Sequence, residues 1–360
     1  MAQDQNKIKI ALIFGGRSSE HDVSCISGAT VAKALDPEKY DITYIGITKE
    51  GHWYLVEDYD TIADRRWETE AKNPVRAIIS PDTDHKLIIK REDKYEIREL
   101  DVAFPVLHGL YGEDGTIQGL FEMANLPYVG CGHLSSAVTM DKFFTKIIAD
   151  SVGVDQAKYV GVRAYETADD MIDAAVAKVE AEREYPMFVK PSCAGSSMGI
   201  TKAHNRDELI SGLKLAAQHD TKILVEECIN GREIECAAFG YGDKTIAAGV
   251  GEVVAAAEFY DFDAKYNNED SLTVVDPDIP EEKKKEIMDT AVKIFRACDG
   301  YGLSRVDFFL ENGTNRVVFN EINAIPGHTA ISMYPMLMEH AGYSMNEYVD
   351  KLVQMAFERR

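Results

Sequence analysis

The sequence predicts an α/β and α+β protein of three lobes: an N-terminal parallel α/β domain over 1–132, a small central lobe over 133–228 and a C-terminal lobe over 229–360. Three observations predict it. The continuous apolar run Ile8–Phe14 enters Gly15-Gly16, then a helical periodicity over Val23–Leu35 and a second strand over Asp41–Thr48, the pattern of a parallel βαβ unit. Two strand-like runs, Pro186–Lys190 and Lys222–Glu227, enclose a glycine-rich loop and a helix. Near the C-terminus, Val306–Leu310 and Arg316–Asn320 are β-rich and joined through Glu311-Asn312-Gly313, where Asn-Gly favours a tight reversal.

A chain of 360 residues exceeds one hydrophobic core, and 45% hydrophobic residues suit a globular protein. Lys and Arg number 39 against 61 Asp and Glu, a formal charge of −22. Nucleic acid and anionic membrane surfaces would be repelled, so neither is expected as a partner. No apolar run has the length of a membrane span, and the short apolar start reads as a first strand, so a cytoplasmic protein is expected. Six cysteines stand without paired metal spacing and read as small buried side chains.

The first glycine turn ends at Glu20, at the carboxyl end of a parallel strand where sites are expected. Residues 51–100 are charged and irregular, with short strand-like pieces, and read as an elaboration without chemistry. Asp101–Leu107 returns to a buried strand that delivers His108 into a glycine-rich loop. A histidine there serves a ligand or is satisfied by a backbone carbonyl. Ser135–Val152 is expected as one helix containing Asp141-Lys142, and Ala168–Glu184 as another.

Lys190 opens the loop 191–199, whose backbone N–H groups and hydroxyls can close over phosphates; a flexible turn is the alternative. Glu226-Glu227-Cys228-Ile229 links two lobes, where a backbone edge can hydrogen-bond a purine. Residues 259–268 combine aromatics and charge as an ordering lid would. The terminal hairpin sets Asp307 near Glu321 and Asn323, hard oxygen donors of the kind Mg²⁺ takes, with Arg305 alongside and a Pro326-Gly327 turn beyond. An acidic hairpin with solvated ends would carry the same residues.

In order, FGGRSSEHDVS, LHGLYGEDGTIQG, MDK, VKPSCAGSSMG, VEECINGRE, YDFDAKY, RVDFF and NEINAIPGHT resemble the ATP-grasp enzymes, and more closely the D-alanine–D-alanine ligases. The resemblance runs from Lys9 nearly to the C-terminus and is weakest over 50–100. It implies the ATP-grasp fold and ATP-dependent joining of two D-alanines through a D-alanyl phosphate, for peptidoglycan precursors and hence cell shape. ATP and D-alanine are the implied small-molecule partners, Mg²⁺ (or Mn²⁺) the cofactor, and a homodimer the assembly.

Carried over by motif, Glu20 matches the group at the ammonium of the first D-alanine, with His108 beside that substrate. Lys142 and Lys190 match the phosphate lysines and Glu226 the acid at the ribose, while Ser197, Glu227, Ile229, Glu233 and Lys265 complete the nucleotide set. Asp307, Glu321 and Asn323 match the metal ligands, Arg305 and the Gly327 N–H the groups at the reacting carboxylate, and Ser332 a donor to the second substrate's carboxylate. Glu233, Ser196 and Tyr266 match a hydrogen-bonded set tying the lid to the glycine-rich loop, so Ser196 and Tyr266 join Glu20, Arg305 and Gly327 as catalytic candidates. Tyr266 goes with amine acceptors in this family, which leaves D-alanine or D-serine as second substrate. His328 and Ala324 depart from the family pattern, and effects on substrate fit are expected of them. The alternatives are another ATP-grasp carboxylate–amine ligase and a nucleotide-binding sensor without turnover.

Overall fold

The computed structural model describes residues 7–70, 74–195, 198–254 and 272–359. Ser196, Ser197, Lys265, Tyr266 and the expected lid at 259–268 lie outside the described residues.

The first sheet has seven strands: β1 (Ile8–Gly15), β2 (Tyr40–Ile47), β3 (Trp53–Val56), β4 (Val75–Ile79), β5 (Lys86–Arg91), β6 (Lys94–Glu99) and β7 (Val102–Pro105), in the order β6-β5-β4-β3-β2-β1-β7. β1 pairs in parallel with both β2 and β7, as the βαβ pattern requires. The short strand-like pieces over 51–100 are more regular than expected: β3 to β6 form an antiparallel meander that extends the same sheet. β5 and β6 turn through Glu92 in the left-handed region (φ 50°) rather than through a glycine, and Tyr95 and Ile97 of edge strand β6 stay exposed, so neither turn chemistry nor clean alternation advertised the strands.

A second sheet, ordered β10-β9-β11-β8, comprises β8 (Tyr159–Arg163), β9 (Met187–Pro191), β10 (Thr201–Ala203) and β11 (Lys222–Glu227). The single helix expected over Ser135–Val152 is two, His133–Met140 and Lys142–Ser151, because Asp141 takes an extended conformation and its carboxylate accepts from the N–H groups of Phe143 and Phe144. That cap starts a helix at Lys142 and fixes the lysine's direction. The helix expected over Ala168–Glu184 is the shorter Ile172–Glu180.

The third sheet runs β14-β13-β12-β15-β16, from β12 (Gly231–Tyr241), β13 (Ile246–Val254), β14 (Leu272–Val275), β15 (Tyr301–Glu311) and β16 (Val317–Asn323). Helix Glu281–Ala297 packs on it through Ile287, Ala291, Ile294 and Phe295. The last helices, Met333–His340 and Met345–Glu358, also pack on this sheet and join it to the first: Tyr334, Tyr348 and Leu352 share one buried cluster with Ala237 and Phe239 of β12 and with Ile10 and Val102 of the first sheet. Polar contacts follow the same seam, Tyr40 Oη donating to Asp350 at 2.6 Å and Asn346 Nδ2 to the Ala34 carbonyl at 2.9 Å.

Candidate active site

A cleft of about 730 Å³ opens where the three sheets meet, and Glu20, His108, Lys142, Lys190, Glu226, Glu227, Ile229, Glu233, Arg305, Glu321, Asn323, Gly327 and Ser332 line it. Residues from the N-terminal glycine turn, both lobes and the terminal hairpin are thus gathered around one volume.

The hairpin supplies the acidic wall. β15 and β16 pair with Arg305 opposite Asn323 and Asp307 opposite Glu321, then shift register between Asp307 and Phe308. That bulge lets neighbours Asn320 and Glu321 both reach the cleft, where strict alternation would turn one away. Arg305 donates to both Asp307 oxygens, at 2.8 and 2.7 Å, and lies 3.2 Å from Glu235. Burial opposes its charge, but Asp307 and Glu235 outweigh that and hold its pKa well above the usual value. Asn323 Nδ2 donates to Asp307 at 3.0 Å. Asp307, Glu321 and Asn323 lie on one face of the hairpin; Glu321 and Asn323 line the cleft and Asp307 is buried beside them on Arg305, a set of hard oxygen donors that fits a hard divalent cation.

Lysines form the facing wall. Lys142 reaches Glu321 at 3.1 Å and the Ala194 carbonyl at 3.1 Å; burial lowers its pKa, yet Glu321 outweighs burial and the net direction is upward. Lys190 lies 2.6 Å from Glu226 and 3.4 Å from the Asn320 side-chain oxygen. Glu226 is 3% exposed and its second oxygen is 2.9 Å from Lys146. Burial would raise the Glu226 pKa, but Lys146 and Lys190 together bring it down to about 2. The acid expected at the ribose is therefore held between two ammonium groups. Lys146 was not singled out in the sequence. Its only signal is the four-residue step from Lys142 on one helix, and an isolated lysine on a helix reads as solvated.

Glu20 sits just before helix His21–Ala34. A Cβ on Gly109 (φ 70°) would lie 2.5 Å from its Oε2, and one on Gly195 2.8 Å, so two glycine loops close directly on this carboxylate. His21 braces the turn before it, its ring nitrogens 2.8 Å from the Gly16 carbonyl and 2.8 Å from Glu68. His108 is buried, with its ring nitrogens 2.9 Å from the Ile325 carbonyl and 2.9 Å from Ser27 Oγ, so it lines the cleft and is structurally satisfied at once. Burial lowers its pKa, with Glu20 opposing.

Glu113 escaped the sequence analysis except as a letter in a motif. Its carboxyl accepts from the Gly109 N–H at 2.8 Å and from the Ile325 N–H at 2.8 Å, tying the His108 loop to the chain leaving β16. Burial and then Glu20 push its pKa up to about 8. On that exit a Cβ on Gly327 would stand 2.7 Å from Ser332 Oγ, and Ser332 Oγ accepts from the Thr329 N–H at 3.0 Å. His328, of which an effect on substrate fit is expected, turns its side chain away from the cleft. It is 2% exposed, its Nδ1 is 2.9 Å from the Pro326 carbonyl, and its ring lies 6.0 Å from those of Tyr334 and Tyr348. Ala324 does line the cleft. Glu227 accepts from the Lys158 N–H at 3.0 Å and from Arg316 at 3.2 Å, anchoring the linker that carries Ile229.

A basic wall facing an acidic hairpin across one cleft, with a carboxylate pocket at its inner end, defines an ATP-dependent carboxylate–amine ligase of ATP-grasp architecture. The family model described as D-ala D-ala ligase N-terminus matches residues 9–131, and the one described as D-ala D-ala ligase C-terminus matches 148–354. The chain belongs to the D-alanine–D-alanine ligase family. The D-alanine–D-alanine ligase of Acetivibrio thermocellus is 46% identical over 366 residues, 98% of this chain and 97% of that one. Among solved structures, the VanG D-Ala:D-Ser ligase of Enterococcus faecalis has a TM-score of 0.88 at 39% identity, covering 97% of this chain and 99% of its own. The D-alanine–D-alanine ligase of Coxiella burnetii has a TM-score of 0.85 at 30% identity, covering 98% and 95%.

Proposed function

We propose that the protein joins two D-alanine molecules to D-alanyl-D-alanine at the expense of ATP, supplying peptidoglycan precursors and so cell shape. The observation that carries this is the register of the terminal hairpin, which puts Arg305, Glu321 and Asn323 into the cleft that Lys142 and Lys190 also line, with Asp307 paired to Glu321 beside them.

A carboxylate is a poor electrophile, and transfer of the γ-phosphoryl group to the first D-alanine gives an acyl phosphate that the second amine can attack. Glu20, enclosed by Gly109 and Gly195, suits the first ammonium. Lys142 and Lys190 are typed to neutralise phosphate oxygens. Arg305 and the Gly327 N–H are typed to stabilise the tetrahedral oxyanion, a donor of this kind being worth about 3 kcal/mol. Ser332 is available to the second carboxylate. Asp307, Glu321 and Asn323 would hold Mg²⁺, or Mn²⁺ in its place, which when bound neutralises phosphate charge. Ser196, Ser197, Lys265 and Tyr266 keep the roles that the family resemblance implies for them. Division at 132/133 and 228/229, assembly as a homodimer and a cytoplasmic location belong to the same reading; among the described residues no helix is long and apolar enough to cross a membrane.

Release of ADP and phosphate that depends on D-alanine, with D-alanyl-D-alanine identified by mass spectrometry, is the expected result. Likeness to a D-Ala:D-Ser ligase supports a second reading, and the same assay with D-serine decides between them. Glu321→Gln should lower turnover by about 100-fold or more while the fold persists. Full activity of that variant at saturating Mg²⁺ would mean that the metal ligands lie elsewhere.

A further inference from the structure

Lys142 and Lys146 stand one turn apart on the same helix, but only Lys142 lines the cleft. Lys146 is 1% exposed. Its Nζ lies 2.9 Å from Glu226, donates to the Ala157 carbonyl at 3.3 Å and sits 5.2 Å from the centre of the Tyr159 ring. Glu226 thus has one oxygen on a lysine that can reach the cleft and the other on a lysine that cannot.

Resting on the nucleotide reading above, we propose that Lys146 is a positioning residue: it retains the charge of Glu226 when the phosphates of a nucleotide draw Lys190 away. In the open site the Lys146–Glu226–Lys190 group carries one net positive charge. A phosphate takes Lys190, and what stays behind is a neutral buried pair. Without Lys146, the same step strands a buried carboxylate with no cation, a state that opposes binding strongly. Lys190 would then remain locked on Glu226, and the nucleotide would have to break that pair.

The proposal separates nucleotide binding from amino-acid binding. Lys146→Met, close in volume, should weaken ADP binding measured by calorimetry by about 10- to 100-fold, while the KM for D-alanine stays within about twofold. Lys146→Met combined with Glu226→Gln removes both charges, and its ADP affinity should match that of Glu226→Gln alone. Unchanged ADP affinity in Lys146→Met overturns the proposal. So does weaker binding by the double variant than by Glu226→Gln, a comparison that decides the matter even if Lys146→Met fails to fold. Failure of the unaltered protein to bind ADP would instead strike the nucleotide reading itself.

Discussion

Replacing Glu113 with glutamine removes one titratable proton from the space between the Gly109 and Ile325 N–H groups while keeping the length of the side chain. In the unfolded chain that carboxyl loses its proton near 4.5, whereas burial and the Glu20 charge hold the proton on the folded protein to about 8. Below the lower value both states are protonated and Glu113 costs the fold nothing. As pH rises through the window the unfolded state alone releases its proton, so stability falls by about 1.4 kcal/mol per pH unit. By the upper end of the window the accumulated cost is about 4 to 5 kcal/mol. Glutamine carries no such cost, but its NH₂ faces one of the two N–H donors, a loss of about 1 to 3 kcal/mol at every pH. Urea unfolding of both proteins in steps from pH 5 to 8.5 should therefore show curves that converge and cross, the variant being weaker in acid and equal or stronger in base. Parallel curves across the window would refute the argument, because they would place an ordinary carboxylate at this position.

Gly195→Ala puts a methyl group 2.8 Å from Glu20 Oε2, and steady-state kinetics should show the KM for D-alanine rising by about 10- to 100-fold with that for ATP less affected. An unchanged D-alanine KM would move the ammonium site away from Glu20. His328→Phe concerns a ring whose pKa is lowered to about 4 by burial and then by His108. The unfolded histidine takes up a proton below about 6.5 and the folded one does not until about 4, so the parent loses stability as pH falls through that window. The variant should have a flatter acid limb in thermal melts and a D-alanine KM within about twofold of the parent; a large change in KM would put the ring in the cleft after all.

Much of the site was legible because its donors lie close together in sequence on elements with strong local signals. Asn312-Gly313 marked the reversal, which brings Asp307 near Glu321 and Asn323; the bulge by which Asp307 faces Glu321 rather than Asn320 left no mark in the hydrophobic pattern. Strand Lys222–Glu227 has the bounds that its pattern predicts. What escaped depends on tertiary context. Asp141 breaks a continuous helical periodicity by capping, an alternative use of the same residue that hydrophobic pattern does not register. Glu113 and Lys146 gain meaning only from what the fold buries around them, since an isolated Glu or Lys in sequence reads as a solvated charge.

Tyr334, Tyr348 and Leu352 complete the cluster that holds Ile10 and Val102. During synthesis on the ribosome the first domain thus lacks part of its interior until residues near 350 have emerged, so its maturation waits on almost the whole of translation. A premature stop in the last two helices would leave apolar surface bare on the domain made first, and chaperones or proteases would meet a chain damaged at its beginning by a loss at its end.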